Sequence, residues 1–241
     1  ESIKDRELLI ICTKSYDTRE AVEGLSKFLN KDAKVLSLQN GLNNEKIISD
    51  YVDRGNVIGG ITGIGVTFME SGKVRHAGEG ETIIGAYRHE KGDSIRMIAD
   101  LLRTSGLEVS ITDNIYGHIW KKVIINSSIN PITALTGLKN GALIEIDHLH
   151  ELMKKVCSES TTVAEEEVEL PSDDILGETE KIVKLTAENR SSMLQDIDNR
   201  KKTEIDSING AIISAGKKLG IETPYNQTLL SLVKGKEKGA H

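Results

Sequence analysis

Apolar and polar positions follow one rhythm at the front of the chain and another behind it. Residues 7–13 (ELLIICT) form a short apolar run, the pattern of a strand covered on both faces. Residues 18–29 place Ala21, Val22, Leu25, Phe28 and Leu29 at helical spacing. A second strand is predicted over 34–38 and a short helix over 45–52. Residues 56–68, rich in Gly and β-branched side chains, read as extended. The runs 74–76 and 82–87 predict a hairpin turning at Gly78-Glu79-Gly80. A helix over 94–103 and a strand over 109–112 complete this half. Strands alternating with helices predict an α/β layer, its strands mostly parallel at the start.

From Asp113 onward the pattern is helical almost throughout. Asp113 is placed to N-cap a helix running through 120–129. Pro131 is expected to end or kink it, since proline has no backbone N–H to donate. A long helix is predicted over 148–168. Pro171-Ser172-Asp173 marks a break and cap, with a further helix over 174–189. Another follows over 203–219, closed by Gly220, and a last short one starts at Thr223-Pro224. The domain boundary is expected near residue 113, giving an α/β domain over 1–113 and a helical domain over 114–241. No internal repeat or low-complexity segment is present.

Composition narrows the function. The 241 residues suffice for one large domain or two modest ones, and 38% hydrophobic content is that of a globular protein. A net charge of −6 leaves no reservoir of positive charge for a phosphate backbone, which argues against nucleic-acid binding. No apolar run approaches the ~20 residues of a membrane helix. The first five residues show no signal-peptide core. Cys12 and Cys157 are far apart, one in a predicted strand and one in a predicted helix, as expected of a reduced, cytoplasmic protein. The sequence does not open on Met and a buried-type strand follows almost at once, so a preceding segment is expected.

Three clusters are candidates for chemistry. Lys122, Asn126 and Asn130 are spaced by four, which puts them on one helix face, with Val123, Ile124, Ile125 and Ile129 making most of the remaining surface apolar. Buried amides and ammonium groups need partners, and a bound ligand would supply them; a stripe facing solvent is the competing reading. The second cluster is dense in short polar side chains, over 189–196 and 203–210. Alone it reads as an N-cap and a solvated turn. The third is Gln39-Asn40-Gly41, directly after a predicted strand, with Thr13-Lys14 at the equivalent end of the preceding one. Ligands of open α/β sheets bind beyond the carboxyl ends of strands, so Lys14 and Asn40 are expected to face one crevice; an ordinary Asn-Gly turn is the alternative. His148-x-His150 has metal-ligand residue types but no third ligand near it in sequence, so no metal is expected. The run Glu165-Glu166-Glu167 reads as a solvated helix face, and no serine lies in a nucleophile elbow.

Taken together, these strings resemble the ketopantoate reductase family. Lys14 and Gln39-Asn40-Gly41 match its strand-end motifs. Val74-x-His76-x-Gly78-x-Gly80 and Ile84-Gly85 match its Gly-rich middle. Trp120, Lys122, Asn126, Asn130 and Pro131 match its Trp-x-Lys helix, followed by Thr133-Ala134-Leu135 and Asn140-Gly141. Residues 191–196 (SSMLQD), residues 203–210 (TEIDSING) and Thr223-Pro224-x-Asn226 complete the match in order. The resemblance implies a Rossmann-like nucleotide-binding domain, its N-terminal part missing, followed by an all-α domain like that of 6-phosphogluconate dehydrogenase. It implies NADPH-dependent reduction of 2-dehydropantoate to (R)-pantoate, in pantothenate and coenzyme A biosynthesis. Lys122 would be the general acid. Asn126, Asn130, Asn140 and Ser192 would hold the substrate. Asn40 would lie near nicotinamide and substrate, Glu204 would approach cofactor and active site, and Lys14 would face the cofactor. The stripe on the Lys122 helix is then expected to line the cleft between the domains, with Ser192 and Glu204 close to Lys122. The family's opening Gly-x-Gly-x-x-Gly turn and the basic residue that selects NADPH over NADH are not among these residues, so both rest on resemblance. A reductase of another branched 2-keto acid, or a non-catalytic binding or dimerisation module, are the competing readings. A homodimer through the helical domain is a further expectation, with a small keto acid the expected ligand.

Overall fold

A computed structural model describes residues 6–88 and 93–239. The first five residues, read above as lacking a signal-peptide core, lie outside the described residues. In order, the elements of the first part are β1 (Leu8–Ile11), α1 (Thr18–Ser26), β2 (Lys34–Ser37), α2 (Asn44–Ile48), β3 (Val57–Thr62), β4 (Gly65–Glu70), β5 (Lys73–Gly78), β6 (Thr82–Ala86), α3 (Ser94–Thr104) and β7 (Val109–Ile111). Those of the second part are α4 (Ile115–Thr136), α5 (Ala142–Glu145), α6 (Asp147–Glu165), α7 (Ile175–Leu185), α8 (Ser192–Asp198), α9 (Asn209–Leu219) and α10 (Pro224–Gly239). The chain forms two compact units. One comprises residues 1–39 and 43–119. The other comprises Asn40–Leu42 and Trp120–His241.

In the first unit the main sheet has the order β1-β2-β3-β6-β7. The β1–β2, β2–β3 and β6–β7 pairs are parallel, and β3–β6 is antiparallel. Successive strand residues face opposite ways, and the core follows this period of two. Val35 and Val57 pack with Val22 of α1 and Ile48 of α2 on one face. Leu36 and Ile58 pack with Ile98, Ala99 and Leu102 of α3 on the other. Both faces of the strands are thus covered by helices, which explains why β2 and β3 read as unbroken apolar runs.

The expected hairpin between 74–76 and 82–87 does not form. β5 pairs with β4, and the two make a separate two-stranded sheet. The turn is at Ser71-Gly72, where Glu70 faces Lys73 and Gly72 takes φ +78°. β6 returns to pair with β3 instead. The long extended reading over 56–68 merged β3 with β4.

The helical unit departs from expectation in four places. Asn114, rather than Asp113, caps α4: its Oδ1 accepts the Gly117 N–H at 3.0 Å. α4 runs on through Pro131 to Thr136. Pro131 has no N–H to give the Ser127 carbonyl, but Asn209 Nδ2 donates to that oxygen at 3.3 Å. The side chain from α9 replaces the missing backbone bond, so the helix need not stop. The stretch predicted as one helix over 203–219 begins as a turn, and α9 starts at Asn209 after Ile208 adopts φ −101°, ψ −91°. Residues 191–198 are not a solvated turn: Ser191 caps α8, whose Met193 and Leu194 are buried. The core of this unit gathers Ile125, Ile129 and Ile132 of α4 with Leu143, Met153, Val156, Val183 and Leu229. No helix among the described residues is long and apolar enough to cross a membrane.

Candidate active site

α4 carries buried Val123, Ile124, Ile129 and Ile132 around most of its surface. Lys122, Asn126 and Asn130 interrupt this at intervals of one turn, and the unbroken helix keeps them on one face. Thr133, fully buried, continues the stripe by a further i,i+3 step. Its Oγ1 lies 2.7 Å from Ser191 Oγ, tying the N-terminus of α8 to the same face. Ser191 itself accepts the Leu194 N–H at 3.1 Å. Ser192, the next residue, is exposed. The Thr133–Ser191 link is the part that sequence reading missed, although Thr133 stands three residues past Asn130 and the helical spacing pointed to it.

Asn40 belongs to the helical unit although it directly follows the β2 region in sequence. Its Nδ2 donates to Glu204 Oε2 at 3.3 Å. The docking is reinforced by the Leu42 N–H, which donates to the Ser207 carbonyl at 2.9 Å. Gly41 between them is required twice over. Its φ of +88° suits glycine, and a Cβ there would lie 2.5 Å from Ser207 Oγ. Asn40-Gly41 is therefore not a free-standing turn but the seat of the 203–207 segment.

Glu204 is 5% exposed. Burial pushes the Lys122 ammonium down to about 8, while the Glu204 carboxylate pulls it partly back. Asn40, Lys122 and Glu204 thus form one electrostatic cluster inside the helical unit: an amide donor, a carboxylate and an ammonium poised near neutral pH. Such a lysine can give up a proton to a developing oxyanion and recover it from water.

Asn140 stands elsewhere in its bonding. Its Nδ2 donates to Thr186 Oγ1 at 3.0 Å and its N–H to the Asn189 carbonyl at 3.0 Å, which fastens the loop after α4 to the end of α7. Its Oδ1 is buried and meets no protein partner among the described residues. Lys14 lies in the α/β unit, just past β1. There Gln39 Nε2 donates to the Thr13 carbonyl at 2.9 Å and to Thr18 Oγ1 at 2.8 Å, binding together the carboxyl ends of parallel β1 and β2. This donor-rich crest is of the kind that holds the ribose or nicotinamide end of a dinucleotide. A Gly-x-Gly-x-x-Gly turn for the pyrophosphate does not occur in the 241 residues. His150 Nε2 is paired with Glu180 Oε1 at 2.7 Å.

Two family models match the chain: "Ketopantoate reductase PanE/ApbA" over residues 1–89 and "Ketopantoate reductase PanE/ApbA C terminal" over residues 114–237. A 2-dehydropantoate 2-reductase of Archaeoglobus fulgidus is 39% identical over 98% of this chain and 78% of its own length. One from Pyrococcus horikoshii is 40% identical over 96% of this chain and 76% of its own. Among solved structures, a PanE/ApbA family ketopantoate reductase from Ralstonia eutropha superposes with a TM-score of 0.88 at 33% identity, over 97% of this chain and 76% of that one. A D-mandelate dehydrogenase with NADH and anilino(oxo)acetate superposes at 0.93 and 30% identity, over 99% and 79%. A Rossmann-like layer followed by a helical unit is the architecture these share with the present structure, and nicotinamide-dependent oxidoreduction is their common chemistry. On both halves of its sequence and on its fold, the chain belongs to the ketopantoate reductase family.

Proposed function

We propose that the protein reduces the C2 carbonyl of 2-dehydropantoate to (R)-pantoate with NADPH as the reductant. The observation that carries this is the Asn40–Glu204–Lys122 cluster, in a chain 35–40% identical to curated 2-dehydropantoate 2-reductases. When bound, the reduced nicotinamide supplies a hydride. Lys122 Nζ then gives a proton to the former carbonyl oxygen as that oxygen takes the electron pair of the broken π bond, and the neutral amine is reprotonated from water. Asn126 and Asn130 are amides on the Lys122 face, suited to holding the substrate's carboxylate and hydroxyl, with Ser192 at the adjoining helix start. The unpaired Asn140 Oδ1 can accept a hydroxyl proton. Asn40 and Glu204 orient the reacting groups from the far side of Lys122, and Lys14 faces the dinucleotide. Loss of reduced-nicotinamide absorbance on adding 2-dehydropantoate to the full-length protein is the test. NADPH and NADH are compared side by side, and absence of turnover with either rejects the proposal.

A second reading has one observation in its favour. The 30% identical D-mandelate dehydrogenase was solved with an aryl oxo-acid analogue rather than a branched aliphatic one. Competing 2-keto acids in the same assay separate the two: a kcat/KM for an aryl or other branched keto acid above that for 2-dehydropantoate selects the second.

A further inference from the structure

The segment that carries Glu204 is a turn with no regular helix beneath it, since α9 begins only at Asn209. Something must hold it rigidly if its carboxylate is to stay on Asn40. One anchor is the Leu42–Ser207 bond described above. The other comes from the last turn of α10. Glu237 Oε1 accepts two bonds from a single residue, the Thr203 N–H at 2.7 Å and the Thr203 hydroxyl at 2.6 Å. Thr203 is completely buried, and the Glu237 side chain is only 12% exposed. Lys234 Nζ sits 3.4 Å from Glu237 Oε2, and the same ammonium is paired with Asp206 inside the turn. Glu237 therefore reads the residue directly before Glu204 through both its backbone and its side chain, and Lys234 fastens the far end of the same turn.

We infer that Glu237 is a positioning residue, which locks the 203–207 turn so that the Glu204 carboxylate stays on the Asn40 carboxamide. The inference rests on the reductase reading above, and it adds a residue that itself touches neither substrate nor cofactor. Its consequence is electrostatic. Glu204 faces Lys122 and raises its proton affinity against the effect of burial. The neighbouring lysine, Lys121, is engaged elsewhere, with Glu178 at 2.8 Å. If the turn loosens and Glu204 withdraws, Lys122 loses its proton at lower pH. A general acid must be protonated to act, so the alkaline limb of kcat moves toward acid.

The test compares full-length wild type with Glu237→Ala, Glu237→Gln and Thr203→Val. In Glu237→Ala, kcat should fall roughly tenfold or more, as expected for a misplaced catalytic group, and the alkaline limb should move down by about one pH unit. Glu237→Gln keeps an acceptor oxygen for both Thr203 bonds and should behave as wild type. Thr203→Val keeps the volume but loses one donor, so its limb should move part of the way. A readout independent of turnover is the Asn40 side-chain amide resonance in ¹⁵N-labelled protein, which should shift in Glu237→Ala and stay in place in Glu237→Gln. A wild-type limb in Glu237→Ala, or a Glu237→Gln as defective as Glu237→Ala, overturns the inference. Should Glu237→Ala fail to fold by circular dichroism, an unmoved limb in Thr203→Val overturns it equally. An inactive wild type whose Asn40 resonance still responds to Glu237→Ala rejects the reductase reading and leaves the lock standing.

Discussion

Lys122 is held near a pKa of about 8 because its ammonium is buried, with the Glu204 carboxylate opposing the drop. Rate should therefore be level at lower pH and fall as pH rises through about 8, where the acid is lost. Lys122→Ala should cost ~10²–10⁴ in kcat, with a small added amine restoring part of it. Asn126→Ala should act mainly on KM, because a carboxamide can hold a ligand but is a poor proton donor. Wild-type turnover in Lys122→Ala removes it as the acid. A second titration belongs to Glu45, 1% exposed, whose Oε2 meets no partner among the described residues. Burial raises this carboxyl from 4.5 to about 7, opposed by hydrogen bonds from its own backbone and Ser37. A raised folded pKa means the stabilising proton is fully bound below pH 4.5, and its contribution is lost as pH rises toward 7. The loss is on the order of 3 kcal/mol. Urea melts of wild type and Glu45→Gln should therefore diverge in favour of the glutamine variant between pH 5 and 8; parallel curves would show that Glu45 is ionised in the fold throughout.

α4 shows how an element is decided by its neighbours. Its apolar face and its Lys/Asn stripe are visible in the sequence, because spacing alone fixes which residues share a side. Its length is not, since Pro131 ought to end it and does so only where the orphaned carbonyl has no other donor. Asn209 supplies that donor from α9 and is itself braced by Asn226 Oδ1 at 2.8 Å. Asn209→Ala should cost about 1–3 kcal/mol by stranding buried acceptors. Pro131→Ala restores a backbone N–H to Ser127, so the same change should cost less in that background. Denaturant midpoints of the four proteins give the coupling, and strictly additive effects would show that Asn209 acts only through Asn226. The β4–β5 hairpin makes the same point in the sheet: Gly78 and Gly80 were the more conspicuous glycines, yet the turn fell at Ser71-Gly72 because β6 is claimed by β3.

At the scale of the whole molecule, the two units divide the work unequally. The helical unit holds Lys122, Glu204 and Asn40 together, whereas the α/β unit supplies Lys14 and the crest at β1 and β2. The 241 residues contain no Gly-x-Gly-x-x-Gly turn, and backbone amides at such a turn carry much of the binding of a pyrophosphate. Calorimetry of this 241-residue polypeptide with NADPH should therefore show only weak binding. Micromolar affinity would mean that the phosphates are held by residues other than a glycine-rich turn.

The sequence by itself determined the class of the fold, the family, and which helix face carries the polar stripe, because hydrophobic period and residue spacing are local properties of a chain. It also marked Asn40, Glu204 and Ser192 through strings shared with that family. What only tertiary structure decided were the long-range bonds: Asn40 to Glu204, Thr133 to Ser191, Asn209 to Ser127 and Glu237 to Thr203. Each joins residues far apart in sequence whose types are ordinary in isolation. Their partners are fixed by how helices pack, and packing depends on every apolar contact in the unit rather than on any local pattern.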